Sequence, residues 1–256
     1  MDKEILTDLL ETLYNKYNNA DFIDSDPISI PHSFGTPENI EISGFFAATI
    51  AWGNRKSIVK SAMKMMQYMD NQPYDFVTTA SGKELQSLSS YVYRTFNGSD
   101  FIAFVRALRS FCTKYKSIGN FFELEFLKTR DIRIALSSFR SLFFATEHDK
   151  HCEKHLSSID KGAACKRLNM YLRWMVRRDS RGVDFGLWKN IPMSALYLPL
   201  DVHSGNMGRA FGLLTRKQND WKAVEEITHN LRQFDADDPV RFDFSLFGAG
   251  INQWKV

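Results

Sequence analysis

Apolar side chains recur at spacings of three and four residues through most of this chain, and few residues interrupt the pattern. The first such stretch contains Ile5, Leu6, Leu9, Leu10, Leu13, Tyr14 and Tyr17. The 256 residues include only 14 glycines and 7 prolines, and 44% are hydrophobic. No alternating pattern of any length indicates a strand. The sequence therefore predicts an all-α protein with a sizeable core.

The breaks between periodic stretches place the helices. After the first helix, the stretches that predict helices cover residues 41–51, 55–70, 101–115, 121–128, 131–145, 164–178, 202–212 and 221–234, with a last helix starting at Asp238–Pro239. In the second of these we expect Ile58, Val59, Met63 and Met66 to face inward. Residues 148–162 are polar and are predicted to form a connection. We divide the chain into residues 1–39, an N-terminal helix and linker packing with the C-terminal part, and subdomains 40–155 and 156–256.

Basic side chains are concentrated in one segment. The net charge is +3, but residues 161–217 carry 11 basic and 3 acidic side chains, whereas both flanking regions are slightly acidic. In the helix predicted there, Lys166, Arg173 and Arg177 lie away from the stripe formed by Leu168, Leu172, Met175 and Val176. A basic helix face is typical of a surface that binds a phosphate backbone. An ordinary solvated helix face explains the pattern equally well.

Cysteine usage and the N-terminal sequence exclude several classes of protein. Cys112, Cys152 and Cys165 have no paired spacing, so a disulfide framework or a four-cysteine iron–sulfur or zinc site is not expected. The first residues carry acids rather than a basic leader, and no apolar run reaches membrane-spanning length. We expect a soluble cytoplasmic protein with no metal and no cofactor. His148, His151 and His155 lie in the polar connection and are expected to bind metal only adventitiously.

Lys166 occupies an unusual position for a lysine. It follows Gly162 by four residues, in the first turn of a predicted helix, where the helix dipole disfavours an ammonium group. An amine placed there is suited to act as a nucleophile. The alternative is an ordinary surface lysine within the basic segment.

Asp201 starts another predicted helix. In the segment LPLDVH it follows an extended Leu–Pro–Leu stretch and precedes helical periodicity. Its simplest role is an N-cap, which contributes about 1 kcal/mol. His203 lies two residues later and could contact a phosphate, assist the cap or, least favoured, bind a metal.

The order of these segments resembles the helix-hairpin-helix DNA glycosylase superfamily, most closely its lysine-bearing members that remove oxidised bases. GAACKRLN is similar to the half-hairpin that carries their nucleophilic lysine, and PLDVH to their Pro–x–Asp–x–His segment. The resemblance implies two helical subdomains with a cleft between them, in a bacterial branch that lacks the iron–sulfur cluster. The hairpin itself departs from the usual Leu–Pro–Gly–Val–Gly, since this chain has LSSIDKG.

The resemblance also implies a function and a site. A damaged base, by similarity an oxidised purine, is flipped out of double-stranded DNA. Lys166 attacks the sugar and forms a Schiff base, Asp201 stabilises the cationic sugar, and strand cleavage follows. The implied DNA contacts are Gly162, Arg167, His203 and Arg209, and the implied base pocket contains Trp52 and Met170. The expected protein is a monomer with no membrane partner.

Three other functions stay open at this point. The chain could be a DNA-binding module on the same fold without a reaction, a helical module that binds protein or RNA through its basic face, or an enzyme that uses the lysine and aspartate on a substrate other than DNA. Covalent trapping on DNA distinguishes a non-catalytic DNA-binding module from a lyase. The salt dependence of DNA binding distinguishes a module that binds protein or RNA from a DNA-binding protein.

Overall fold

The protein is all-α, as the sequence predicts. The computed structural model describes residues 2–252. In chain order, the α-helices of these residues are α1 (Lys3–Tyr17), α2 (Asp21–Ser25), α3 (Ser29–His32), α4 (Pro37–Thr49), α5 (Arg55–Tyr68), α6 (Pro73–Thr79), α7 (Gly82–Ser87), α8 (Gly98–Tyr115), α9 (Ile118–Thr129), α10 (Ile132–Phe143), α11 (Lys166–Val176), α12 (Val202–Ala210), α13 (Trp221–Leu231) and α14 (Asp243–Ile251). No helix among residues 2–252 is both long and apolar enough to cross a bilayer.

Shorter elements connect these helices. Two short strands, β1 (Val92–Tyr93) and β2 (Phe96–Asn97), pair in antiparallel register, with Val92 opposite Asn97 and Tyr93 opposite Phe96. Single turns of 3-10 helix cover Leu88–Ser90, Lys150–His155, Met193–Ala195 and Pro239–Phe242.

The chain forms two compact units. One contains the chain up to Phe22 together with everything from Ser158 onward, and the other runs from Ile23 to Ser157. The N-terminal helix thus belongs to the same unit as the C-terminal helices. Residues 23–39, which the sequence analysis grouped with that helix, lie in the other unit.

Phenylalanines fill the core of the unit Ile23–Ser157. Phe104 of α8 lies between Phe45 of α4 and Phe143 of α10, at ring-centroid distances of 6.1 and 4.8 Å. Phe139 packs on Phe122 of α9 at 4.9 Å. Such tilted and edge-to-face pairs add to the hydrophobic stabilisation of a core. The aromatic faces of these amphipathic helices therefore pack against one another.

In the other unit, α11 is the buried central element. Tyr171, Trp174 and Val176 are fully buried. At the far end of the chain, α14 packs on α1, where the Ser245 hydroxyl donates to the carbonyl of Leu10 at 2.8 Å. Gly248 lies directly against the ring of Tyr17, and any side chain at position 248 would collide with that ring.

Two residues that the apolar pattern predicts to be buried are exposed. Ile5 and Met63 are exposed, at 62% and 53% of their surface. The inward face of α5 is formed by Ile58, Ala62, Met65 and Met66. Met63 follows Ile58 by five residues, which rotates it about 140° from that face. The prediction places Met63 inside because methionine is hydrophobic. The helical geometry instead places the small Ala62 on the buried face.

Helix α10 offers a matched test of this core. Leu136 is 1% exposed and Ile134 is 46% exposed. We expect Leu136→Ala to lower the free energy of unfolding by about 2–5 kcal/mol, because it removes buried methyl groups and leaves a cavity. Ile134→Ala should change it by no more than about 0.5 kcal/mol. Urea denaturation followed by circular dichroism measures both; equal losses would contradict the assignment of the buried face.

Candidate active site

Lys166 is the first residue of α11, as the sequence predicts for the start of this helix. The chain reaches it through Cys165, whose φ of 48° is left-handed. Just before, Ala163 pairs with Asp220, and the Trp221 N–H donates to the Gly162 carbonyl at 2.9 Å. The Lys166 Nζ lies 3.5 Å from the sulfur of Met170, one turn further along. The amine is therefore held at the helix start by a segment that also begins α13.

Asp201 is the N-cap of α12. Its Oδ1 accepts the backbone N–H of Ser204 at 2.9 Å. The Asn219 amide donates to the Asp201 carbonyl at 3.0 Å. Asn219 directly precedes Asp220, which pairs with Ala163. One short segment, residues 219–221, thus contacts both the approach to Lys166 and the backbone of Asp201.

A third charged residue, Asp243, links these two helix starts. It begins α14 and is buried, accepting a hydrogen bond from the Ser204 hydroxyl at 3.3 Å and forming an ion pair with Arg173. Burial raises the pKa of Asp243 to about 6, against the lowering effect of Arg173. Asp201 raises this pKa further and Lys166 lowers it.

Ser204 joins Asp201 to Asp243, because its backbone N–H donates to one and its hydroxyl to the other. Arg173, two turns after Lys166 on α11, pairs with Asp243. We call Lys166, Asp201, Ser204, Asp243 and Arg173 the Lys166 cluster. It combines an amine, two carboxylates and a hydroxyl within one compact unit, which is a composition suited to nucleophilic and proton-transfer chemistry.

The prediction of a basic, solvent-facing stripe on α11 is wrong for two of its three residues. Arg173 and Arg177 are 3% and 1% exposed. Arg173 pairs with Asp243 and with Asp184. Arg177 pairs with Asp179, Asp184 and Asp238 at 2.9, 3.1 and 2.8 Å. Guanidinium groups bound to internal carboxylates do not contact a phosphate backbone.

The residues predicted to contact DNA have different surroundings. Gly162 is exposed with a φ of 77°, and His203 is exposed in the first turn of α12. Burial lowers the pKa of Arg167 to about 10. The Arg209 guanidinium donates to the carbonyls of Arg216 and Lys217 and to the Asn219 side chain. Arg209 therefore holds the loop that reaches Asp201.

The two residues predicted to line a base pocket lie in different units. Met170 is 7% exposed and touches the Lys166 amine. Trp52 belongs to the unit Ile23–Ser157, where it stacks on His155 with ring centroids 5.8 Å apart and planes 25° apart. The Tyr93 hydroxyl donates to the Trp52 carbonyl at 2.8 Å.

A family model described as "Protein of unknown function (DUF2400)" matches residues 26–252. The chain therefore belongs to the DUF2400 family. The matched range contains the whole Lys166 cluster and both units apart from α1 and the residues next to it. No curated protein and no solved structure matches the chain.

Sequence reasoning missed Asp243, Ser204 and the burial of Arg173 in this DUF2400 member. Asp243 follows the predicted Asp238–Pro239 helix start by a few residues, and no motif singles it out. The one available signal was charge balance, because two arginines on a helix that is otherwise apolar require acidic partners when the helix is buried.

The buried pair predicts an asymmetric response to mutation. Arg173→Met should destabilise the protein by about 3–5 kcal/mol, because it leaves the Asp243 carboxylate buried without its cation. Arg173→Met combined with Asp243→Asn should lose less, because the lone buried charge is also removed. Arg178→Met, a change of an exposed arginine in the following residues, is the matched control and should have little effect. Chemical denaturation of the four proteins measures this, and a larger loss in the double variant would refute the pairing.

Proposed function

We propose that this protein is a DNA N-glycosylase with AP lyase activity, which removes an oxidised purine from double-stranded DNA through a Schiff base on Lys166. One observation carries the proposal. Residues 219–221 bond both to the backbone that leads into Lys166 at the start of α11 and to the backbone of Asp201 at the start of α12. The similarity of GAACKRLN and PLDVH to the lysine-bearing glycosylases assigns a chemistry to that pair.

In the proposed reaction, the Lys166 Nζ bonds to C1′ of the flipped nucleotide as the bond from C1′ to the base breaks. The base takes up a proton and leaves. The amine then gives a proton to Asp201, which passes it to O4′ as the C1′–O4′ bond opens, and an iminium forms between Nζ and C1′. Loss of a proton from C2′ expels the 3′ phosphate, and water releases the aldehyde and restores the amine.

Asp201 has two roles in this scheme. Its carboxylate stabilises positive charge on the sugar as the base departs, and it accepts the proton that Lys166 loses. The Ser204 N–H fixes Oδ1. Within residues 2–252 this is the one hydrogen bond to the Asp201 carboxylate, and in the proposed scheme Oδ2 acts on the sugar.

Asp243 and Arg173 position this pair rather than touch the DNA. Ser204 bonds Asp201 through its backbone and Asp243 through its hydroxyl, so the buried ion pair fixes the start of α12. Gly162, Arg167 and His203 are the proposed phosphate contacts. Arg209 supports them by holding the loop 216–219. The proposed enzyme acts as a monomer in the cytoplasm, and its chemistry needs no cofactor.

Borohydride trapping tests the proposal. Incubation with a duplex containing an abasic site or 8-oxoguanine, followed by sodium borohydride, should give a covalent protein–DNA adduct. Lys166→Ala should abolish the adduct because the nucleophile is lost. Lys161→Ala, a change of an exposed lysine five residues earlier, is the matched control and should leave it intact. Denaturing electrophoresis measures the adduct.

Asp201→Asn separates chemistry from stability. Asparagine is as good an N-cap as aspartate, so the variant should fold with unchanged stability while base release slows by about 10²-fold or more. Salt-dependent binding of the duplex without any adduct would instead identify a non-catalytic DNA-binding protein. Absence of both binding and adduct would reject the proposal as a whole.

A further inference from the structure

The segment Lys150–His155 is not the polar connection that the sequence predicts. It forms a turn of 3-10 helix, in which Cys152 is fully buried and His155 is 3% exposed. Trp52 stacks on the imidazole of His155, and Phe96 packs edge-on against it at 4.9 Å. The segment is therefore packed into the unit Ile23–Ser157, with its side chains in fixed positions.

Metal-binding atoms from this segment converge on Asp100 of α8. The His151 Nε2 lies 2.9 Å from Asp100 Oδ1, and the His155 Nε2 lies 3.2 Å from Asp100 Oδ2. One ligand atom from each of Asp100, His151 and Cys152 lies within 4.8 Å of the others. In a tetrahedral zinc site, ligand atoms are separated by about 3.3–3.6 Å.

Two atoms of the group are buried without satisfied hydrogen bonds. Among the described residues, neither Asp100 Oδ1 nor the His155 Nε2 has a partner in hydrogen-bonding alignment, although histidine nitrogens lie near the carboxylate. The two imidazoles thus face the carboxylate at 2.9 and 3.2 Å without good hydrogen-bond alignment, although buried polar atoms are nearly always well satisfied. A metal ion satisfies an acceptor oxygen and an imidazole nitrogen at the same time.

The Asp100 carboxylate supplies an anionic ligand for a cation. Its side chain is fully buried, and imidazole nitrogens lie 2.9 and 3.2 Å from its two oxygens. The Cys152 thiol is buried beside it and would release its proton to solvent when a metal binds.

We propose that Asp100, His151, Cys152 and His155 form a structural zinc site. The donor set of two imidazoles, a thiolate and a carboxylate is one that Zn²⁺ accepts, and four protein ligands leave no position for substrate. The Asn97–Asp100 capping box fixes the carboxylate, and the Trp52 ring fixes His155, as surrounding groups commonly do at metal sites. This site joins the turn Lys150–His155 to α8 and is independent of the proposed glycosylase reaction.

Metal binding to the purified full chain tests this inference. We expect one zinc per chain by elemental analysis after dialysis, and a Co²⁺ derivative with tetrahedral visible absorption and a thiolate charge-transfer band. His151→Ala and Cys152→Ser should each weaken zinc affinity by at least about tenfold. His151 is 39% exposed in its side chain, so its truncation tests a ligand without emptying the core.

Matched controls keep the result specific. His148→Ala changes a histidine of the same segment, and Cys112→Ser changes another buried thiol; both should retain zinc, with Co²⁺ spectra like the unmutated protein. Circular dichroism confirms that each variant is folded. Failure of the unmutated chain to bind zinc, or undiminished binding in either ligand variant, would overturn the proposal and leave a buried ion-pair network of Asp100 with two histidines.

Discussion

Two buried arginines, Arg173 within α11 and Arg177 directly after it, impose the strongest constraint on the unit that contains the Lys166 cluster. A guanidinium group removed from water costs several kcal/mol unless carboxylates surround it. Four aspartates do so, two from the loop after α11 and two from the start of the C-terminal helix region: Asp179, Asp184, Asp238 and Asp243. Asp238 and Asp243 come from the C-terminal region, so these ion pairs link α11 and the residue after it to the start of α14.

The same constraint determines how the candidate site is built. Because Arg173 holds one oxygen of Asp243, the other oxygen meets the hydroxyl of Ser204, whose N–H caps Asp201. An aspartate at a helix start is often described either as a structural N-cap or as a reactive carboxylate. Here the capping bond fixes the direction of the Asp201 carboxylate.

Sequence patterns predicted the long helices, because apolar periodicity is a local property, but they missed the short helices α2, α3, α6 and α7 and the β1–β2 pair. The starts of α11, α12 and α13 follow from residues beside them, as the caps Asp201 and Asp220 illustrate. Properties that depend on residues far away in the sequence could not be predicted. Met63 was placed inside by hydrophobicity alone, and the histidines near residue 150 were read as a linker because their partner, Asp100, lies some 50 residues earlier in the sequence.

The candidate site shows the same division. Lys166 and Asp201 could be predicted, since each stands at a recognisable helix start. Asp243 could not, because its importance comes from Arg173, which is 70 residues away in the chain. The residue pattern within one helix does not indicate that Arg173 and Asp243 form a pair.

The distribution of charge along the chain predicted a basic surface on α11 wrongly, for a related reason. Residues 161–217 carry an excess of basic side chains, and the residues after them an excess of acidic ones, but the fold places both segments in one unit and cancels part of each inside it. Surface charge is what remains after that cancellation. Any electrostatic attraction to a phosphate backbone must therefore come from exposed groups such as Lys189 and Lys217 rather than from the stripe on α11. A binding surface of this kind is smaller than the sequence suggests, which places more of the proposed recognition on the helix starts that surround Lys166 and Asp201.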